Sequence, residues 1–307
     1  MKGTRRLFVA VDILYICLMI LPILLGIILR VLTSPLKEGV TLTGAQIYLT
    51  IPFPIQDLII TESQINSLLV VLSILGLCLF LTHGLSVKEP TTRQHVAEWI
   101  VEKTEGLVKD NMGEYFSGFA AFITAILALS ALSSLLSLFG LYPPTSDLNI
   151  VAGWAILVFF LITYYKLKCG PIHYLKSFAQ PPALTPLNIL SEISTPVSMA
   201  FRHYGNVLSG SVVAVLVAAG LQGISNLLLG WLPGFLGEIP FLQIGIPAVL
   251  SVYFDLFSGC LQAYIFAMLT MMYVSGAFDA EKYFKKKERK EKNKTIKKKN
   301  LEVNELC

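Results

Sequence analysis

Six nearly unbroken apolar stretches, separated by short polar segments, set the pattern of this chain: near 9–31, 64–84, 115–141, 149–167, 186–229 and 241–277. Each can supply the roughly 20 residues a helix needs to cross about 30 Å of hydrocarbon. A seventh segment, 91–112, has another texture: Val96, Trp99, Ile100, Val101, Leu107 and Val108 recur at helical spacing among charges. That is the pattern of an amphipathic helix lying at an interface. The expected fold is an all-α polytopic membrane protein with about six membrane-embedded helices and one interfacial helix. The first run exceeds the roughly 7–15-residue apolar core of a signal peptide, and no small-x-small cleavage site stands out, so it reads as a retained helix.

The last two runs are too long to stand upright. As continuous helices, 186–229 and 241–277 would extend roughly 66 Å and roughly 55 Å at 1.5 Å per residue. Steep tilt or kinking is required. Pro196 and Pro247 are candidate bends, and Gly230, Pro233, Gly234, Gly237 and Pro240 supply a turn between the runs. The expectation is a hairpin of two long, steeply tilted helices, whose side-on surface suits a curved or rotating partner.

Composition agrees with a membrane protein: 54% of the 307 residues are hydrophobic and 14% charged, with mean hydropathy +0.67, against about 25% charged in soluble domains. The net charge of +4 belongs to the tail, since residues from Asp279 onward hold 11 Lys/Arg and 6 Asp/Glu. With few aromatics and no nucleic-acid-binding signature, that tail reads as a solvated, disordered segment attracted to anionic lipid, not to nucleic acid. Lys/Arg asymmetry orients the chain. With Lys2, Arg5 and Arg6 inside, six spans place Lys88, Arg93, Lys103, Lys109, Lys166, Lys168, Lys176 and the tail on the same side, leaving Arg30 and Lys37 outside. Both termini are then cytoplasmic. The five cysteines and four histidines are scattered, and no metal spacing, phosphate loop or hydrolase motif stands out, so no cofactor, no metal and no soluble-enzyme chemistry are expected.

Two charges stand alone within the apolar runs. Arg202 is the only formal charge between Glu192 and Glu238, and Asp255 the only one between Glu238 and Asp279. A guanidinium cannot neutralise itself, and placing it at bilayer depth costs at least about 2.5–3.5 kcal/mol. An intramembrane carboxylate is by default a proton-relay candidate. Ser198, Asn206 and Ser209 share the Arg202 face of an α-helix, whereas Ser211 and His203 lie off it. Ser258, Gly259 and Gln262 would share the Asp255 face. Blander roles stand beside these. Arg202 could be a snorkelling anchor, Asn206 and Gln262 interhelical glue, and Asp255 a paired structural acid. Gly205 and Gly210 could serve close packing, His203 is a packing residue before it is a relay, and Glu62 and Asp147 sit at span ends where a solvated charge is ordinary.

The stretch PLNILSEISTPVSMAFRHYGNVLSG, followed by FDLFSGCLQAYIFAMLTMMYVS, resembles the F-type ATP synthase subunit a family, the stator channel subunit of the membrane sector. VEKTEGLVKDNMGEYFSGFAAFI resembles its interfacial helix and following span, and PPTSDLN its polar turn; the likeness covers roughly 62–278. It implies that Arg202 is the stator arginine facing a rotor ring of c subunits, separating two aqueous half-channels and releasing ions from rotor carboxylates. Asn206 and Gln262 match polar residues near that arginine, Asp147 and Asn149 the mouth of the outer half-channel, and Glu192 an acid of the inner one. Asn66 stands where the family carries an acid or amide. One departure matters. Many members pair a Glu nine residues after the arginine with a His seven before the glutamine, and those positions here are Ser211 and Asp255. The implied relay runs through Asp255, water and Ser211.

Three units follow: 1–61, an added membrane helix and outer loop; 62–278, the channel-like domain; and 279–307, the basic tail. The resemblance implies a non-catalytic subunit that couples ion flow to rotation and ATP synthesis. Its implied partners are the c ring, peripheral-stalk b subunits, membrane lipid and a translocated H⁺, with Na⁺ left open. A bacterial plasma membrane fits, with an organelle inner membrane as the alternative. From residues alone two other classes stay open: a secondary ion-coupled transporter, for which no inverted repeat is visible, and a membrane scaffold in which Arg202 is replaceable.

Overall fold

The computed structural model describes residues 2–33, 44–54, 57–87, 90–171, 174, 184–229, 245–246, 249–250, 252–278 and 283. In chain order come α1 (Lys2–Thr33), β1 (Ile47–Ile51), β2 (Leu58–Thr61), α2 (Glu62–Thr82), α3 (Thr92–Met112), α4 (Ala120–Leu135), α5 (Leu148–Cys169), α6 (Thr185–Leu229) and α7 (Gly259–Ala277). A 3-10 turn at Glu114–Phe119 leads into α4, and a π-helical segment, Val252–Ser258, leads into α7. Six helices among the described residues are long and apolar enough to cross a membrane, and they coincide with the six apolar runs. The chain is an all-α polytopic membrane protein with one addition. β1 and β2 pair antiparallel, Leu49 opposite Ile60 and Ile51 opposite Leu58, in a small hairpin before α2.

The main core lies among α3, α4, α5, α6 and α7. Val108, Ile123, Val151, Val158, Met199, Phe266 and Met271 are buried there in one apolar cluster. Close approach of α7 to α4 depends on Gly259, where a Cβ would fall 2.7 Å from the Ser134 side chain. The expectation that Gly210 serves packing holds in the same sense, for a Cβ there would press on the Phe254 ring at 3.1 Å. Gly205 has open space around its Cβ position.

Helix α6 runs unbroken through Pro196 for 45 residues, roughly 68 Å of helix. The π segment changes the second leg. Its i→i+5 bonding widens the turn, so the face expected to carry Asp255, Ser258, Gly259 and Gln262 together is re-phased: Gly259 and Gln262 are buried, while Asp255 and Ser258 are half-buried. Pro247, the turn at 230–240 and the basic tail, apart from Tyr283, lie outside the described residues.

Helix α1 packs on α2 and is fastened at both ends. At one end Arg30 Nη1 meets Glu62 Oε1 at 2.8 Å. At the other, Asp12 Oδ1 accepts from Arg93 Nη1 at 2.9 Å and lies 2.8 Å from His83 Nδ1, with the Phe8 ring packed against His83 at a tilt of 30°. Asp12 and Arg30 are 18 residues apart, about 27 Å along a helix, close to the thickness of a hydrocarbon core. Between the fasteners the backbones nearly touch, and a Cβ on Gly76 would fall 2.6 Å from Met19 N.

Gly76→Ala is therefore expected to destabilise the protein by about 1–3 kcal/mol, the usual cost of overpacking. Gly106→Ala, with nothing within 4 Å of its Cβ position, should be neutral or stabilising by about 0.4–1 kcal/mol. Denaturant unfolding of the two variants in detergent checks the contrast.

Candidate functional site

Arg202 sits on the outside of the bundle. Its neighbours Met199, Ala200 and His203 turn inward and are buried, whereas Arg202 and Phe201 are exposed. Among the described residues no hydrogen bond or ion pair engages the Arg202 guanidinium. His203 packs edge-on to the Trp154 and Phe266 rings, and its Nε2 lies 3.3 Å from Ser130 Oγ. Its Nδ1 has no partner among the described residues.

One turn beyond Arg202, Asn206 Nδ2 donates to Ser258 Oγ at 2.9 Å, tying α6 to the segment that carries Asp255. Gln262 is buried one turn into α7. Ser211 donates to the Leu208 carbonyl of its own helix at 2.8 Å. Among the described residues no hydrogen bond joins it to Asp255. The structure thus brings Asn206 to the Asp255 segment but leaves Ser211 on the exposed side of α6.

A second cluster forms where α2 begins and the loop before α5 ends. Asp147 caps α5: Asn149 N donates to Asp147 Oδ1 at 2.9 Å, while the side chain of Asn149 is exposed. The other oxygen of Asp147 accepts from Ser63 Oγ. Since that hydroxyl has one proton, Thr61 Oγ1, 2.8 Å away, is the donor to Ser63. Asn66 Nδ2 donates to the Tyr142 carbonyl at 2.9 Å, and Tyr142 N donates to Glu62 Oε1 at 3.3 Å. Glu62, read from sequence as an ordinary span-end charge, is only 2% exposed. Burial, then Asp147, Tyr204 and Glu62 in turn, hold the Tyr142 phenol protonated above its usual range. Arg30, Ser63 and Tyr142 do not stand out in the sequence as members of a site. The available signal was that Arg30 is one of two bases on the expected outer side.

A third cluster lies at the Asp12 end. Lys166 Nζ bonds both oxygens of Glu192 at 2.7 Å, and Tyr174 OH donates to Glu192 Oε1 at 3.3 Å. Beside them a half-open cleft of about 210 Å³ runs between α5, α6 and α7, lined by Lys166, Glu192, Thr195, Tyr273 and Gly276 among others. Among the described residues no group of three or more His, Cys, Asp and Glu could hold a metal.

The ATP synthase A chain family matches residues 65–275. The chain belongs to the ATP synthase A chain family. Similar relatives include ATP synthase subunit a of Legionella pneumophila, 28% identical over 231 residues, 74% of this chain and 91% of the relative. ATP synthase subunit a of Desulforamulus reducens is 32% identical over 203 residues, 63% of this chain and 70% of the relative. That of Staphylococcus carnosus is 30% identical over 201 residues, 61% and 78% of the two chains. The span matched to the ATP synthase A chain family contains Asn66, Asp147, Asn149, Glu192, Arg202, Asn206, Ser211, Asp255 and Gln262. It leaves out α1, Arg30 and Glu62.

Tyr174 gives this site a titratable readout. Burial, and then the Glu192 carboxylate, oppose its phenolate, so its pKa lies above the ordinary 10.0. With the folded value raised, the stability linked to this proton is complete below about pH 10 and is lost as pH rises through the folded pKa. An ultraviolet difference titration of wild type against Tyr174→Phe should show a step above pH 10, and Glu192→Gln should move that step down. A step unmoved by Glu192→Gln would contradict the contact.

Proposed function

We propose that the chain is the ion-translocating stator subunit of a rotary F-type ATP synthase. The observation that carries this reading is Arg202 itself: a permanent cation, exposed on a long apolar helix, with no counter-ion among the described residues. Such a charge at bilayer depth needs a partner. The Asp147 and Glu192 carboxylates are engaged in their own clusters, and on this reading the acid that meets Arg202 belongs to another subunit. A ring of c subunits, each presenting a carboxyl at the same depth, supplies it.

The chemistry follows from electrostatics. A protonated rotor carboxyl approaching Arg202 loses its proton, because a nearby cation favours the charged form. The fixed guanidinium also bars direct ion passage, since a cation would have to pass it in low dielectric. Ions then enter on one side of Arg202 and leave on the other, and the transfer requires rotation. The Glu62–Asp147 cluster belongs to the outer half-channel and the Lys166–Glu192 cleft to the inner one. Asn206, Gln262 and Asp255 line the approach to Arg202, and water bridges the gap to Ser211. Neutral amides suit this place because they can hold water without adding a second charge.

Helix α6, at roughly 68 Å, more than doubles a hydrocarbon thickness of about 30 Å; inclined steeply, it follows the wall of a ring. Helix α3, with Val96, Trp99 and Val101 exposed, lies in the interface, where peripheral-stalk b subunits reach the stator. Protons are the translocated ion, with Na⁺ decided by the rotor. The setting is a bacterial plasma membrane with both termini cytoplasmic. The nucleotide chemistry belongs to other subunits.

In sealed vesicles holding the reconstituted complex, Arg202→Ala should bring ATP-driven pumping to background, with any remaining leak independent of rotation. Pumping at the wild-type rate would return Arg202 to a structural anchor.

A further inference from the structure

Both partners of the Arg30–Glu62 pair lie outside the span matched to the family, residues 65–275. The pair nevertheless sits inside the cluster that holds Asp147. Glu62 Oε1 receives Arg30 Nη1 at 2.8 Å and Tyr142 N at 3.3 Å. Asn66, one turn along α2, takes the carbonyl of the same Tyr142 at 2.9 Å. Tyr142 is thereby gripped by its N–H and its C=O from a single helix face. Five residues later the same loop delivers Asp147 to Ser63, which directly follows Glu62. The contacts thus run without a break from Arg30 through Glu62 and Tyr142 to the loop that aims Asp147.

The charges give the arrangement a consequence beyond packing. Arg30, Glu62 and Asp147 sum to −1 in this cluster; without Arg30 they sum to −2. Glu62 is 2% exposed and Arg30 32%, so the carboxylate is out of water while its counter-ion sits at the edge where water arrives. Removing the guanidinium leaves a buried carboxylate facing one backbone N–H. Such a group is no longer compensated, and a carboxylate that swings outward to reach water releases Tyr142 N–H and changes the field at Asp147.

We propose that Arg30, carried by the added first helix, is a positioning residue of the outer ion path that acts through Glu62. The proposal rests on the reading of the Asp147 cluster as the outer half-channel. On this view α1 sets the charge that an entering cation meets, and its two ionic fasteners and the Gly76 contact hold Arg30 in register.

The test measures initial ATP-driven pumping by the intact reconstituted complex, normalised to assembled complex on a native gel. Arg30→Ala, Arg30→Lys, Glu62→Gln and the double variant Arg30→Ala/Glu62→Gln are compared with wild type, and Arg202→Ala is run beside them. Expected is a fall of at least about fivefold in Arg30→Ala, recovery to within about twofold in Arg30→Lys, and less than about twofold further change when Arg30→Ala is added to Glu62→Gln, the non-additivity of two residues acting as one unit. Should Arg30→Ala fail to assemble, Arg30→Gln, which removes the charge and keeps a donor, takes its place with the same thresholds. Wild-type pumping in Arg30→Ala, or an equal fall in the Glu62→Gln background, overturns the assignment. Pumping retained in Arg202→Ala sinks the stator reading itself. Pumping lost there but unchanged in Arg30→Ala overturns the Arg30 inference alone.

Discussion

The free-energy cost of a charge in hydrocarbon organises this molecule. Among the described residues the ion pairs of α1 sit at two levels, about 27 Å apart along that helix: Arg30 meets Glu62 at one and Asp12 meets Arg93 at the other, while Lys166 meets Glu192 across α5 and α6. The pairs that compensate the charges also join the helices, so electrostatic balance and tertiary structure are one solution. Breaking the Arg30–Glu62 pair costs more than the attraction lost, because Glu62 stays buried when Arg30 is removed.

Arg202 escapes this scheme, and its helix explains how. The most apolar window of α6 is 6% buried, against 33% for the span containing α4. Helix α6 is held by a narrow inner seam: Met199, Ala200 and His203 in the core, Asn206 on Ser258, and Gly210 against Phe254. Glu192 adds the Lys166 pair near its start, and many of its apolar side chains, Phe201, Leu208, Val213 and Leu216 among them, are exposed among the described residues. A helix so exposed is oriented by a few contacts, so its inward face fixes the direction in which Arg202 points. His203 next to it is the clearest case, since its burial among Trp154, Phe266 and Ser130 holds the neighbouring guanidinium outside.

The six spans were legible in the sequence because hydrocarbon imposes length and apolarity directly on the residues. Arg202 and Asp255 stood out because each is the only formal charge over a long stretch, between Glu192 and Glu238 and between Glu238 and Asp279. What could not be read is what depends on meetings between helices. Glu62 looks like a solvated span-end acid until α1 brings Arg30 to it and the loop before α5 closes over it. The β1–β2 hairpin was hidden because its strands flank IPFPIQD, where two prolines interrupt the alternation that would mark a strand. The π segment was invisible for another reason. Counting by 3.6 residues per turn placed Asp255 and Gln262 on one face, and a widened turn between them removes that register.

Among the described residues the interior between the two levels of α1 is filled by packed side chains. Val151, Ala155, Val158, Phe266, Met271 and His203 fill it with buried side chains, and close packing of this kind leaves little room for a file of water. The polar groups nearest mid-depth, Asn206, Ser258 and Asp255, are instead half-exposed on the α6–α7 side, where Arg202 also emerges. Among the described residues the buried interior is therefore largely apolar, and the polar side chains beside the guanidinium lie on the outer α6–α7 face.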